Sequence, residues 1–270
     1  MKARPLPTAK PPVENAGEMT PLVPTCVVGS FKGGVIKTSL AVALAERMAL
    51  AGLAVVLFAC DGQEDARNRL GLKPTDPPVV KVTRGAGTIV IAGMPTAQAT
   101  QFIYREGLAK LGHVDLVVVD TPPVRHGGSL PGVLLFATTD GDDATRNLCS
   151  MLRLTPQSTD IVLVRYHIPA TRPDPDGWVE EVNAIEAAVG SRDRNLMYLP
   201  PIPRADPVKK ALDAGQSVWE LPRRGRTLEY LTGVETMAAA AWKKVHPKTE
   251  IPAKPRKAPG YIPGWDDEEG

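Results

Sequence analysis

Aromatic residues make up only 5% of this 270-residue chain, and it holds just three cysteines. With so few rings, the apolar load falls on Ala, Val and Leu, which suits smooth parallel strands and Ala-rich helices. Cys26, Cys60 and Cys149 are odd in number, and no pair has metal-ligand spacing. Reduced thiols are expected, with Cys26 and Cys60 buried in apolar runs, and neither a disulfide framework nor a metal–thiolate site. An excess of one charge is also missing: the net charge is +2, so any nucleic-acid surface must be a local patch. No apolar run approaches the ~20 residues that cross a bilayer. The opening stretch MKARPLPTAKPPVENAGEMTP has no apolar core of the kind that marks a secretory signal. A soluble, cytoplasmic protein is expected. No internal repeat is visible.

What the chain does contain is a succession of short apolar runs. With 43% hydrophobic residues it is long enough to bury one full core. Residues 1–22 are rich in proline and polar residues and read as a disordered arm. Residues 246–270, with five prolines, read as a flexible tail, which leaves residues 23–245 as a single domain. Within it, apolar runs occur at 23–29, 54–60, 88–92, 115–120, 132–138, 160–164 and 195–199. Helical patterns separate most of them, over 38–51, 97–111 and 178–189. In the first, Leu40, Leu44 and Met48 fall four apart, and Gly52 is a natural stop. Continuous apolar strands joined by helices predict βαβ units: an α/β fold with a doubly wound, mostly parallel sheet covered on both faces.

The first run leads into Ser30-Phe31-Lys32-Gly33-Gly34-Val35-Ile36-Lys37-Thr38-Ser39, where a helix begins. A strand, a glycine-containing loop and a helix start are the parts of a phosphate cradle, because backbone N–H groups there are unpaired and carry positive partial charge. Lys37 is then placed to reach the β- and γ-phosphates of a nucleoside triphosphate, and the Thr38 hydroxyl to ligate Mg²⁺. Two acids stand where strands end: Asp61 after AVVLFAC, and Asp120 closing DLVVVD. A carboxylate at the end of a buried strand is costly unless it meets a cation or donors. In a doubly wound sheet ligands bind beyond those same strand ends. The loop, Asp61 and Asp120 are therefore expected to converge on one site.

FKGGVIKTS resembles the deviant Walker A motif, K-G-G-x-x-K-[ST], of the ParA/MinD ATPases. VVLFACDGQ is similar to their D-x-D-P-Q segment, DLVVVDTPP to their Walker B and switch II, and LPPIPRADPVKKALDAGQSVWE to a later conserved segment. The likeness covers residues 24–245 with the motifs in family order. It implies a P-loop fold that binds ATP and Mg²⁺ and slowly hydrolyses ATP under stimulation by a partner. It implies that Lys32 crosses a dimer interface to the partner's nucleotide, and that Lys37 and Thr38 are the P-loop lysine and metal ligand. Asp61 would be the acid linked to hydrolysis and Asp120 the Walker B acid in the metal shell. Lys32, Gly33, Gly34, Val35, Ile36, Lys37, Thr38 and Ser39 form the expected nucleotide loop, with Lys32, Lys37, Asp61 and Asp120 serving catalysis. Three departures stand out. Ala59 replaces the first acid of D-x-D, Gly62 replaces proline, and Ile36 replaces the glycine usual before the P-loop lysine. A β-branched residue there either strains the loop or finds a conformation it tolerates.

The resemblance also implies an ATP-dependent homodimer that binds DNA without sequence preference, assisted by a ParB-like or other adaptor. Residues 204–226 hold Arg204, Lys209, Lys210, Arg223, Arg224 and Arg226 against Asp206, Asp213 and Glu220. Lys209, Lys210, Arg223, Arg224 and Arg226 are the candidate DNA contacts, since phosphate binding needs charge but no base-reading motif. Four prolines within 251–263 exclude the terminal amphipathic helix used by membrane-binding relatives, so no membrane partner is expected and a nucleoid location is favoured. Positioning or partition of DNA or another large cargo is the leading expectation. The alternative is a nucleotide-sensing adaptor with little hydrolysis in a plasmid-stability or conjugation complex. Trp219 and Trp242 read as packing residues.

Overall fold

The computed structural model describes residues 20–30, 36–61, 65–105, 107–122, 130–139, 148–153, 155–167, 175–189 and 196–252. The N-terminal half runs β1 (Thr25–Gly29), α1 (Lys37–Leu50), β2 (Ala54–Ala59), α2 (Asp65–Arg69), β3 (Val79–Arg84), β4 (Gly87–Gly93), α3 (Thr96–Tyr104), a 3-10 turn (Leu108–Leu111) and β5 (Leu116–Asp120). There follow β6 (Leu134–Thr139), β7 (Asp160–His167), α4 (Pro175–Val189), β8 (Leu196–Tyr198), β9 (Ile202–Pro203), α5 (Asp206–Asp213), a 3-10 turn (Val218–Glu220) and α6 (Gly225–Val245). Residues 148–153 are also helical.

The uninterrupted apolar runs become the central strands. The sheet order is β3-β4-β2-β5-β1-β6-β7-β8, with β9 pairing the end of β7. Every pairing is parallel except that of β3 with β4 at the edge. Side chains alternate between two cores, as the strand period of two requires. Cys26, Val28, Val55, Leu57, Leu116 and Val118 face α1 and α6. Val27, Val56, Phe58, Val117 and Val119 face α3, α4 and the 148–153 helix. A single, doubly wound α/β domain results.

Helix α1 is buried on nearly all sides, because it lies between the sheet and α6. Its alanines at 41, 43, 45 and 49 favour the helix and allow close approach, while Leu40, Leu44 and Met48 fill the interface. Truncating such a leucine to alanine costs about 2–5 kcal/mol. The helix ends at Leu50, and Gly52 takes φ 98° two residues later. Two buried charges fix its last turns. Glu46 accepts from Arg84 and Ser217, and Arg47 donates to Glu235 and to the Pro252 carbonyl. Burial raises the Glu46 pKa, and the Arg84 guanidinium opposes that rise. Residues 246–252 close against the same region, with Ile251 packed on the core and Thr249 accepting from the Trp242 indole.

The helix expected over 97–111 is two elements. Arg105 leaves helical geometry at φ −118° and ψ −85°, Gly107 turns at φ 130°, and a separate 3-10 turn follows. Among the described residues no helix is long and apolar enough to cross a membrane.

Candidate functional site

Three strand ends meet at the C-terminal edge of the sheet. Asp120 of β5 lies in register with Val28 of β1 on one side and Ala59 of β2 on the other. The ends are tied by short bonds. The Cys60 amide donates to the Asp120 carbonyl at 3.0 Å, the Thr121 hydroxyl to the Val28 carbonyl at 2.9 Å, and the Thr138 hydroxyl to the Gly29 carbonyl at 3.2 Å. These bonds hold the ends of β1, β2, β5 and β6 side by side, with Asp120 at their centre.

Asp120 is 1% exposed, and among the described residues neither of its carboxylate oxygens has a hydrogen-bond partner. Burial pushes its pKa up to about 7. The Thr38 hydroxyl is near enough to favour the charged form without being placed for a hydrogen bond to either oxygen. The Asp61 charge pushes the pKa further up, while Lys37 and Arg69 pull it down. Lys37 is itself 5% exposed; burial lowers its pKa, opposed by Asp120 and Asp61. Lys37, Thr38, Asp61 and Asp120 thus lie close enough to act on one another electrostatically.

A buried carboxylate with two orphaned oxygens is a costly arrangement that a cation resolves. Among the described residues no three His, Cys, Asp or Glu side chains form a metal cage of their own. Mg²⁺ is usually held by one or two protein oxygens while phosphates and water complete its shell. The residues present therefore fit a nucleotide-bound Mg²⁺, with Thr38 and Asp120 as the groups that would hold it. The metal would neutralise phosphate charge, and the buried Lys37 ammonium would stand beside the same phosphates.

The start of α1 is the part of the site that could hold an anion. Amides at a helix start have no acceptor within the helix, and the dipole favours negative charge there. Ile36 is the N-cap at φ 38° and ψ 18°, the only non-glycine residue with positive φ among those described. Of the two alternatives for this residue, the strained one is found. Lys32, Gly33, Gly34 and Val35 lie outside the described residues. Ser39 is buried, and its Oγ accepts a 2.7 Å hydrogen bond from Nη1 of Arg69 in α2. Arg69 carries no motif signature in the sequence.

Beyond β2 and β4 opens a cavity of about 600 Å³, lined by Ala59, Asp61, Arg67, Pro74, Met94 and Pro95 among others. Ala59 contributes an apolar face to this wall, beside the charged Asp61 and Arg67. Cys60 beside it is buried, and burial pushes its thiol up to about 12, so it is inert as a nucleophile.

The basic segment is exposed but partly spoken for. Arg204 pairs with Asp206, Lys209 with Asp213, and Arg223 with Glu235. Lys210, Arg224 and Arg226 are exposed and have no ion-pair partner among the described residues. Trp219 and Trp242 are buried as expected, and the Trp219 indole donates to the Ala43 carbonyl at 3.0 Å.

Known structures share this architecture. MinD in the MinC:MinD cell division complex of Aquifex aeolicus superposes with a TM-score of 0.57 at 16% identity, over 80% of this chain and 95% of that one. The pNOB8 ParA bound to nonspecific DNA gives 0.55 at 13% identity, over 84% and 100%. The septum site-determining protein MinD complexed with Mg-ADP from Pyrococcus horikoshii OT3 gives 0.54 at 15% identity, over 83% and 99%. At such identities the likeness establishes the fold. No curated protein matches the sequence. The profile of the CobQ/CobB/MinD/ParA nucleotide binding domain matches residues 26–218, from the first strand through the last 3-10 turn, and the chain belongs to that family.

Proposed function

We propose that this chain binds ATP with Mg²⁺ at the start of α1 and acts as a dimerising ATPase that positions or partitions DNA or another large cargo. The observation that carries the reading is the buried Asp120 carboxylate, with both oxygens unpartnered beside Lys37 and Thr38. ATP would close a sandwich dimer in which Lys32 reaches the partner's nucleotide. Asp61 would stand near the water that attacks the γ-phosphate. Catalysis would be positioning and charge stabilisation by Lys32, Lys37, Mg²⁺ and backbone N–H groups. The dimer would hold nonspecific DNA through the basic segment, on the nucleoid and without a membrane contact, and a ParB-like or other adaptor would stimulate hydrolysis and release. Among structures of the same fold, a ParA is bound to nonspecific DNA and a MinD to Mg-ADP, which supports this scheme.

A second reading is favoured by Ile36 and Ala59: a nucleotide-sensing adaptor with weak hydrolysis in a plasmid-stability or conjugation complex. Sedimentation with Mg²⁺ and a slowly hydrolysed ATP analogue tests the shared claim, for which a shift from monomer to dimer is expected and an unchanged monomer at saturating nucleotide is the refuting result. ATP turnover with and without DNA and adaptor then separates the two readings.

A further inference from the structure

Helix α2 follows directly on the segment that holds Asp61, and three contacts fix it. The Arg67 guanidinium donates to the carbonyls of Asp76 and Pro78, both at 3.0 Å, which anchors the helix to the loop before β3. At its C-terminal end Gly71, at φ 78°, meets Gly215, at φ 68°, backbone to backbone. A Cβ added at Gly215 would lie 2.5 Å from the Gly71 Cα, and one at Gly71 would lie 2.9 Å from the Gly215 carbonyl oxygen. No side chain fits between them, so the end of α2 packs directly against the turn after α5. The third contact is the 2.7 Å bond from Arg69 Nη1 to Ser39 Oγ.

That bond falls in the first turn of α1, one residue after Thr38. A serine hydroxyl has one proton to donate and two lone pairs to accept with. Arg69 can only donate, so it occupies a lone pair and leaves the Ser39 proton to point elsewhere. The charge of Arg69 also favours the ionised form of Asp120.

We infer that Arg69 is a positioning residue of the nucleotide site: its guanidinium orients the Ser39 hydroxyl as a donor toward a phosphate bound at the start of α1. The inference rests on the nucleotide reading above and deepens it. Because α2 begins four residues after Asp61, the same bond ties the hydrolysis segment to the phosphate cradle. A phosphate on Ser39 polarises the hydroxyl and strengthens its acceptance from Arg69, so nucleotide binding and the seating of α2 reinforce each other.

Calorimetric titration of Mg²⁺-ATP into the full chain, with thermal melts of the nucleotide-free proteins, tests this. Arg69→Gln should weaken ATP binding on the order of tenfold, the effect of one charge-assisted hydrogen bond. Ser39→Ala should weaken it similarly, and the double variant no more than either single one, since both act through one contact. Arg69→Lys, which keeps the charge and a donor, should restore part of the loss. A merely structural bond lowers the melting temperature but leaves the affinity of the folded protein unchanged. Unchanged affinity in Arg69→Gln, or losses that add in the double variant, overturns the inference while wild-type binding sustains the nucleotide reading. Absence of ATP binding by the wild-type chain overturns both.

Discussion

Ile36→Gly is a perturbation whose outcome depends on backbone strain rather than on contacts. Ile36 is half-buried and packs against the core around α1. Truncating a half-buried isoleucine removes about half of the 2–5 kcal/mol that a fully buried one contributes, and glycine adds about 0.5–1 kcal/mol of unfolded-chain entropy. Those terms predict a loss of about 2–3 kcal/mol. Against them stands φ 38°, which costs a β-branched residue about 1–2 kcal/mol and glycine almost nothing. The expected net loss is about 1 kcal/mol, a fall in Tm of roughly 2–4 °C for a domain of this size. Ile91→Gly in β4 provides the contrast, because Ile91 is fully buried in regular strand geometry with no strain to release. Its loss should exceed about 4 kcal/mol. In the nucleotide-bound state a glycine also lets the backbone come closer to phosphate, so ATP affinity or turnover should rise by up to roughly tenfold. Urea unfolding and calorimetric ATP titration measure the two effects. A loss above about 3 kcal/mol together with weaker ATP binding would show that the loop is adapted to isoleucine and that strain does not limit it.

Two further outcomes follow from the same site and surface. Replacing Lys210, Arg224 and Arg226 with Glu should abolish ATP-dependent binding to random duplex and leave nucleotide affinity unchanged, whereas Arg223→Gln should cost less because Glu235 already engages that guanidinium; equal losses in a filter-binding salt series would contradict this division. Lys32→Ala should abolish the ATP-induced dimer in sedimentation while preserving ATP binding to the monomer, and a dimer that persists would remove the interface role from Lys32.

The architecture was legible because central parallel strands announce themselves. LVVV of β5 and AVVLFA of β2 are apolar at every position, since both faces are covered. β3 escaped the same reading. VVKVTR alternates half-buried and exposed positions at the sheet edge, and its lysine and arginine interrupt the run. The break between α3 and the following 3-10 turn was hidden because Leu108 and Leu111 continue the helical spacing, and only the backbone at Arg105 and Gly107 ends it. At the site, Lys37, Thr38, Asp61 and Asp120 were legible from strand ends and loop motif. Arg69 was not, because its partner Ser39 lies 30 residues away, and their meeting depends on how α2 docks. The Arg47–Glu235 pair, which spans 188 residues, is illegible for the same reason. Pairing also qualified the basic segment: charge counts alone do not distinguish Arg223, engaged by Glu235, from Arg224 and Arg226.

The central claim is that the unpartnered Asp120 carboxylate and the buried Lys37 are parts of a Mg²⁺-nucleotide site, and titration of ATP with and without Mg²⁺ tests it most directly. The wild-type chain should bind ATP saturably and more tightly with Mg²⁺. Lys37→Ala should lose ATP binding, and Asp120→Asn should lose the Mg²⁺ dependence while raising the melting temperature of the nucleotide-free protein, because burial disfavours the charged Asp120 carboxylate more than Lys37 and Arg69 favour it. Failure of the wild-type chain to bind ATP, or ATP binding that both variants leave intact, would contradict it.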